Sequence, residues 1–261
     1  MTAGDRLLLM HGMKRSGNHA IGHWFLPQLQ GAYFNNLVPL GDILRGRPMP
    51  APQPFAAWRE AQAQRRGERI ERLLVTLEDH DLRFNPFVDI DIPTRHLLVL
   101  RDPRQVFSSR IRKAFRVEMP AYPRQDGPVM QRAVALWKQH ARCFLGIDDG
   151  GGDRGRVAIL FEAWLGDAAY RAAISSELGV PFDDTGFGKV GTEGGGSSFD
   201  GTRFDGRGHL MSVTDRVSAL EPHERAVLDA VFRDRELCEL GEAVLAAEPR
   251  AQLVLEAGGR G

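Results

Sequence analysis

The stretch LLLMHGMKRSGNHAIGHWF, residues 7 to 25, constrains this chain more than any other. Leu7, Leu8, Leu9 and Met10 form an apolar run that suits one buried strand of a parallel sheet. Gly12 and Gly17 then bracket a tight turn carrying Lys14, Arg15 and Ser16. After Gly17 the apolar positions Ala20, Ile21, Trp24 and Phe25 recur at helical spacing, and Pro27 is read as the helix end. Strand, basic loop and helix together make an anion cradle. Loop N–H groups and the positive helix N-terminus point at one spot, and Lys14 and Arg15 add full charges.

Gly12 and Gly17 stand where the Walker A pattern G-x-x-x-x-G requires them. The next two positions should be Lys and Ser or Thr, for the terminal phosphate and Mg²⁺. They are Asn18 and His19. The triphosphate version of the loop has lost both chemical groups, and the phosphate cradle remains. The plain alternative is a basic surface turn after an edge strand.

Leu73, Leu74, Val75 and Leu77 give a second buried strand, followed by Glu78, Asp79 and His80. In open α/β sheets the ligand crevice lies beyond the carboxyl ends of the strands, so these three groups are placed for chemistry. Alternation along a strand would set Glu78 and His80 on one side and turn Asp79 away. The competing reading is an Asp79 or Asp81 that caps a turn beside an exposed His80.

Leu97 to Leu100 is the third strand and runs into Arg101, Asp102 and Pro103. Asp102 as N-cap and Pro103 as first helical residue start a helix there. Ser109 returns to nearly the same helical meridian as Asp102. A guanidinium and a hydroxyl facing one crevice suit a phosphate monoester. Arg110, Arg112, Lys113 and Arg116 follow, either as support for a polyanion or as a solvated helix end.

Val129, Ala133, Leu136, Trp137, His140 and Phe144 form an amphipathic helix stripe, with Trp137 and His140 read as core. Val157 to Phe161 is the fourth strand, ending in Glu162; Tyr170 to Leu178 is helical, and Glu221 to Ala247 is a final amphipathic segment. Residues 31 to 57, crowded with prolines, read as an irregular loop, and residues 58 to 72 as a solvated helix. Residues 186 to 208 are rich in glycine; with Phe199, Phe204, Arg203, Arg207 and Gly208 they read as a mobile lid that orders over an anion.

The 261 residues suit a single α/β domain spanning 1–261. Lys plus Arg equals Asp plus Glu at 34 each, which argues against a dedicated nucleic-acid binder. Cys143 and Cys238, the only cysteines, lie far apart and form no metal or disulfide framework, so a reducing cytoplasm is expected. The run at Leu7 is too short for a signal-peptide core or a membrane span.

Two separate anion motifs in this order resemble the sulfotransferases that use PAPS (3′-phosphoadenosine 5′-phosphosulfate). Arg15, Ser16 and Gly17 match that family's K/R-S-G loop after the first strand, while Asn18 and His19 depart from its small hydroxyl residues. LLVLRDPRQVFSSR matches its second signature, with Arg101 and Ser109 in register. The strand ending at Glu162, with Leu178, Gly179 and Val180 beyond it, is similar to the family's middle. The resemblance implies a three-layer P-loop-like fold, a central parallel sheet flanked by helices. It implies that Lys14, Arg15, Ser16, Gly17, Asn18 and His19 hold the 5′-phosphosulfate, that Arg101 and Ser109 hold the 3′-phosphate, and that Arg207 and Gly208 join them from the lid. His80, Glu78 and Arg15 would then be catalytic, with His80 as the base, since imidazole has a pKa near neutrality, and Glu78 as the group that orients it. They would move a sulfuryl group to a hydroxyl or amine of an unidentified acceptor, a small molecule, lipid or carbohydrate, with no metal. The alternatives are a P-loop small-molecule kinase and a non-catalytic nucleotide-binding module.

Overall fold

A computed structural model describes residues 7–29, 32–34, 72–85, 93–116, 127–148, 155–190, 197–201, 203–249 and 254–255. Strands β1 (Leu7–Gly12), β2 (Ala32–Phe34), β3 (Leu73–Glu78), β4 (Thr94–Leu100) and β5 (Arg156–Leu160) run parallel; β6 (Val254–Leu255) pairs antiparallel with β5. Their order across the sheet is β2-β3-β1-β4-β5-β6. Between them lie α1 (Asn18–Leu29), α2 (Pro103–Arg116), α3 (Pro128–Phe144), α4 (Phe161–Gly166), α5 (Ala168–Glu177), α6 (Pro222–Val231) and α7 (Arg235–Ala246). This is an α/β fold with a parallel sheet flanked by helices.

Alternation along each strand divides the core into two layers. Leu97 and Val99 of β4 join Leu8, Met10, Trp24 and Phe25 on the side covered by α1 and α5. Leu98 and Leu100 join Phe107, Trp137 and Phe144 on the side covered by α2 and α3. Because both faces are buried, the strands read as unbroken apolar runs. Trp137 and His140 are fully buried in the second layer, as core residues.

β1 has β3 on one side and β4 on the other, with Gly12 level with Glu78 and with Val99. Strand order reverses across β1, and open sheets of this kind bind ligands beyond the carboxyl ends of the strands at such a point, here those of β1, β3 and β4. The loop after β1, Glu78 to His80 and Arg101 all lie at that edge.

Several boundaries differ from the sequence expectation. Pro27 lies inside α1, which runs on to Leu29. A proline near a helix end removes one backbone bond, and the Gln28 side chain donates to Trp24 O at 3.0 Å there. Residues 32 to 34, expected as loop, form the edge strand β2, too short to show a pattern. β5 stops at Leu160, and Glu162 belongs to the short helix α4. The segment from Glu221 to Ala247 is two helices, because Asp234 caps the second by accepting from Leu237 N at 3.0 Å. Residues 35–71, including the proline-rich loop and the charged helix, lie outside the described residues, as do 191–196 within the expected lid. Among the described residues no helix is long and apolar enough to cross a membrane.

Candidate functional site

Both loop glycines are required by close approach. A Cβ on Gly12 would collide with the Asn18 side-chain amide, and one on Gly17 with the Phe161 ring. Gly17 also has φ +95°, a conformation that disfavours any side chain. The chain then enters α1, and the Gly17 and Asn18 N–H groups meet no acceptor among the described residues. A helix start with spare N–H groups is the geometric requirement for an anion.

Only two non-glycine residues among those described have positive φ, Arg15 at 76° and Asp79 at 59°. Both belong to this site. Strain of this kind costs about 1–3 kcal/mol per residue and persists where the surroundings over-determine it. For Asp79 the surroundings are explicit. Its N–H donates to Gly12 O at 3.1 Å, and its carboxylate accepts from Lys14 N at 3.0 Å and Arg110 Nη1 at 2.8 Å. Lys14 Nζ lies 3.6 Å from Oδ2. Burial works to raise this carboxyl, but Arg110 and then Lys14 hold it below the ordinary range.

The left-handed turn at Asp79 ends the strand alternation, so the expected geometry of the three groups after β3 does not form. Asp79 faces the loop instead of turning away. Glu78 accepts from Asn18 Nδ2 at 3.0 Å and lies 3.4 Å from His19 Nε2. Against the raising effect of burial, His19 and then Asn18 hold the Glu78 carboxyl below its usual value. His80 is half-buried with its ring stacked on Phe84, 4.4 Å between centroids. Burial lowers its pKa, with Asp79 opposing and Lys14 adding. Glu78 and His80 are therefore not a pair. Asp81 does cap a turn, accepting from Arg83 N at 2.9 Å.

Arg101 comes to the same loop from β4. It is 5% exposed, donates from Nη1 to Arg15 O at 2.9 Å and from Nη2 to Val213 O, and lies over the Phe161 ring. Glu162 Oε1 is 3.7 Å from Arg101 Nε and accepts from Asp102 N at 3.2 Å. Burial pushes the Glu162 carboxyl up to about 7 in spite of Arg101. Burial also lowers Arg101 to about 10, a value at which it stays charged. Asp102 caps α2 by accepting from Arg104 N at 2.8 Å. Ser109 is buried on α2, but no hydrogen bond joins it to Arg101.

Two of the arginines of α2 are buried and paired, while Arg116 at the helix end is exposed. Arg110 and Arg112 are 2% and 8% exposed. Arg110 is held by Asp79, and Arg112 lies 3.1 Å from Glu224. The turn from Ser197 to Gly201 sits against this cluster. Arg15 Nε donates to Ser198 Oγ at 2.7 Å, Arg116 Nη1 to Ser198 O at 2.9 Å, and Arg216 Nη1 to Asp200 Oδ2 at 3.0 Å. Arg207 is exposed, and no hydrogen bond or ion pair joins it to the loop after β1. Gly208 N donates to Gly188 O at 2.9 Å, an approach so close that a Cβ on Gly208 would press on Gly188.

No family model matches the chain, and no curated protein matches its sequence. Among solved structures the chain is similar to a sulfotransferase domain from the Synechococcus PCC 7002 olefin synthase, at 14% identity and TM-score 0.48, over 94% of this chain and 96% of that one. A likeness of that degree carries no argument about chemistry, which rests on the side chains above.

Ser198 and Arg216 are residues of this candidate site that sequence reasoning gave no role, while Asp79 was expected to turn away, Glu162 to end the fourth strand, and Arg110 to support a polyanion or lie on a solvated helix end. Arg110 carried a usable signal. It lies between Phe107, Ile111 and Ala114 on the apolar stripe of α2, where a charge needs a partner. Arg216 and Ser198 carried none, because loops distant in sequence bring them in. Among the described residues no group of three or more His, Cys, Asp or Glu side chains could hold a metal ion.

Proposed function

We propose that the chain is a sulfotransferase that binds PAPS across the carboxyl ends of β1, β3 and β4. The observation that supports this reading is the bond from Arg101 to Arg15 O, by which basic residues after two different strands serve one loop. A Mg·triphosphate reading fits less well. The two residues that begin α1 are engaged by Glu78, Asn18 through a hydrogen bond and His19 through Nε2 at 3.4 Å, and neither supplies the lysine or hydroxyl that triphosphate chemistry uses.

The donor would supply an activated sulfuryl group. The Gly17 and Asn18 N–H groups, with Arg15 and the charge of Lys14, would hold its 5′ end and stabilise charge developing on the leaving phosphate. A 3′-phosphate would meet Arg101 once that residue trades its bond to Val213 O for the ligand, with Ser109 beside it on α2. His80, kept neutral by burial, would take the proton of an acceptor hydroxyl or amine. Glu78 would serve the donor side by fixing Asn18 and His19. Positioning with electrostatics would supply most of the acceleration.

Thermal-shift titration separates the readings. Adenosine 3′,5′-bisphosphate without Mg²⁺ is expected to raise the melting temperature, since a ligand that binds only the native state stabilises it. Stabilisation by Mg·ATP alone would favour a kinase. Stabilisation by the bisphosphate with no sulfate transfer from labelled PAPS into a metabolite or glycan extract would leave a binding module.

A further inference from the structure

The Ser197–Gly201 turn is a closed unit. Ser197 and Gly201 exchange backbone hydrogen bonds at 2.9 and 3.0 Å, and Ser197 Oγ accepts from Phe199 N and Asp200 N. Four guanidinium groups from three distant parts of the chain converge on it: Arg15 from the loop after β1, Arg112 and Arg116 from α2, and Arg216. Every hydrogen bond they make to the turn ends on an oxygen: Ser198 Oγ, the Ser198 and Phe199 carbonyls, Ser197 Oγ and the Asp200 carboxylate. The Phe199 ring lies between the Arg112 and Arg216 guanidinium groups, at 4.9 and 4.5 Å.

Carboxylates already meet two of the four guanidinium groups: Arg216 is on Asp200 of the turn, and Arg112 is on Glu224. Arg116 meets only neutral carbonyl oxygens among the described residues. Lys113 stands near enough to Arg15 and Arg116 that, after burial, their repulsion lowers its pKa. Toward Arg15 the turn offers a neutral hydroxyl, that of Ser198, and a charged phosphate or sulfate oxygen makes the stronger hydrogen bond to a guanidinium.

We propose that the Ser197–Gly201 turn is an internal ligand of this guanidinium cluster, and that a phosphate or sulfate ester gains Arg15 by displacing it. The inference rests on the proposed role of the loop after β1 as the donor site. It reverses the sequence expectation of a lid that orders on binding: the turn is docked before the ligand arrives, and the ligand releases it. Arg15 couples the two events, since its side chain holds Ser198 while its carbonyl oxygen is held by Arg101. The affinity measured for any anion is then the intrinsic affinity reduced by the fraction of molecules whose turn is open.

The test is calorimetric titration of the wild type and the double variant Ser198→Ala, Asp200→Asn with adenosine 3′,5′-bisphosphate and, separately, with inorganic pyrophosphate. The variant is expected to bind both about tenfold more tightly, because its turn has lost two holds on the cluster. In the wild type, amide exchange at Phe199 and Asp200 is expected to accelerate on saturation. Unchanged or weaker binding by the variant, or slower exchange in the wild type, would overturn the proposal and make the turn part of the ligand's own contact surface. Pyrophosphate binding with these signs and no bisphosphate binding would keep the internal ligand and discard the nucleotide reading. Binding of neither probe to either protein would discard both.

Discussion

Glu78 directs its carboxylate to His19, with Oε1 3.4 Å from Nε2, and not to its near neighbour His80. In the proposed reaction these two groups would therefore serve different halves of the transfer. Glu78→Gln and His80→Ala are expected to act independently, so their effects on the rate of PAPS consumption should multiply. Uncoupled sites add within about 0.5 kcal/mol, whereas partners in one network depart by up to about 3 kcal/mol. A double-mutant cycle with a coupling above roughly 1 kcal/mol would restore the Glu78–His80 pair.

Gly17 makes a sharper structural prediction. Gly17→Ala meets both the Phe161 ring and a left-handed backbone. The backbone alone costs about 1 kcal/mol, and the collision adds to it. Urea denaturation should show a loss of at least that size together with loss of adenosine 3′,5′-bisphosphate binding. Adding Phe161→Ala is expected to recover part of the collision cost relative to Phe161→Ala alone. Wild-type stability in Gly17→Ala would mean the loop can shift away without penalty.

Arg101→Ala should be a lesion of the loop as much as of a phosphate contact. It leaves Arg15 O and Val213 O without their donor and Glu162 without its cation. Loss of a buried charged donor costs about 3–5 kcal/mol. Adenosine 5′-phosphate and adenosine 3′,5′-bisphosphate are both expected to weaken, the bisphosphate by a further tenfold or so because the 3′-phosphate loses a charge-assisted contact as well. Identical losses for the two ligands would remove Arg101 from the 3′ site.

The pH dependence of stability combines two opposed groups. His140 is fully buried and burial lowers it to about 4, while an unfolded histidine titrates near 6.5. Between those values the unfolded chain binds more protons, so this contribution is lost as pH falls through that window. His11, also buried and lowered, acts in the same direction. Glu162 titrates at about 7 in the fold against 4.5 as its ordinary value, so the native chain binds more protons there and stability falls as pH rises. Each spans roughly 3 kcal/mol at 1.36 kcal/mol per pH unit. Denaturant midpoints of Glu162→Gln should decline toward pH 5 more steeply than wild type, and those of His140→Gln less steeply. Parallel profiles for all three proteins would show that neither group carries linkage.

The sheet was legible in the sequence because its strands are buried on both faces, and the runs at Leu7, Leu73, Leu97 and Val157 announce themselves. The loop after β1 was legible because Gly12 and Gly17 are demanded by local geometry. The edges were not: β2 and β6 are three and two residues long and owe their pairing to β3 and β5. The site beyond the loop was legible only where it is local. Asp79 was misread because alternation assumes the strand continues, and the strand ends one residue earlier. Ser198 and Arg216 reach Arg15 and Asp200 across long stretches of chain, and no spacing rule records such a meeting.

The central place of β1 also dictates when this protein can be built. Its neighbours β3 and β4 end at Glu78 and Leu100, so the first of the described strands waits for partners made many residues later. At 5–20 residues per second, roughly 4–18 s of synthesis separate β1 from the completion of β4. Until β3 has been made Leu7 to Met10 is an unpaired apolar segment on a nascent chain, and until β4 follows it has a partner on one side alone, a target for chaperones and for aggregation. The loop that begins at Gly12 cannot be set until Asp79 and Arg101 have emerged to hold it.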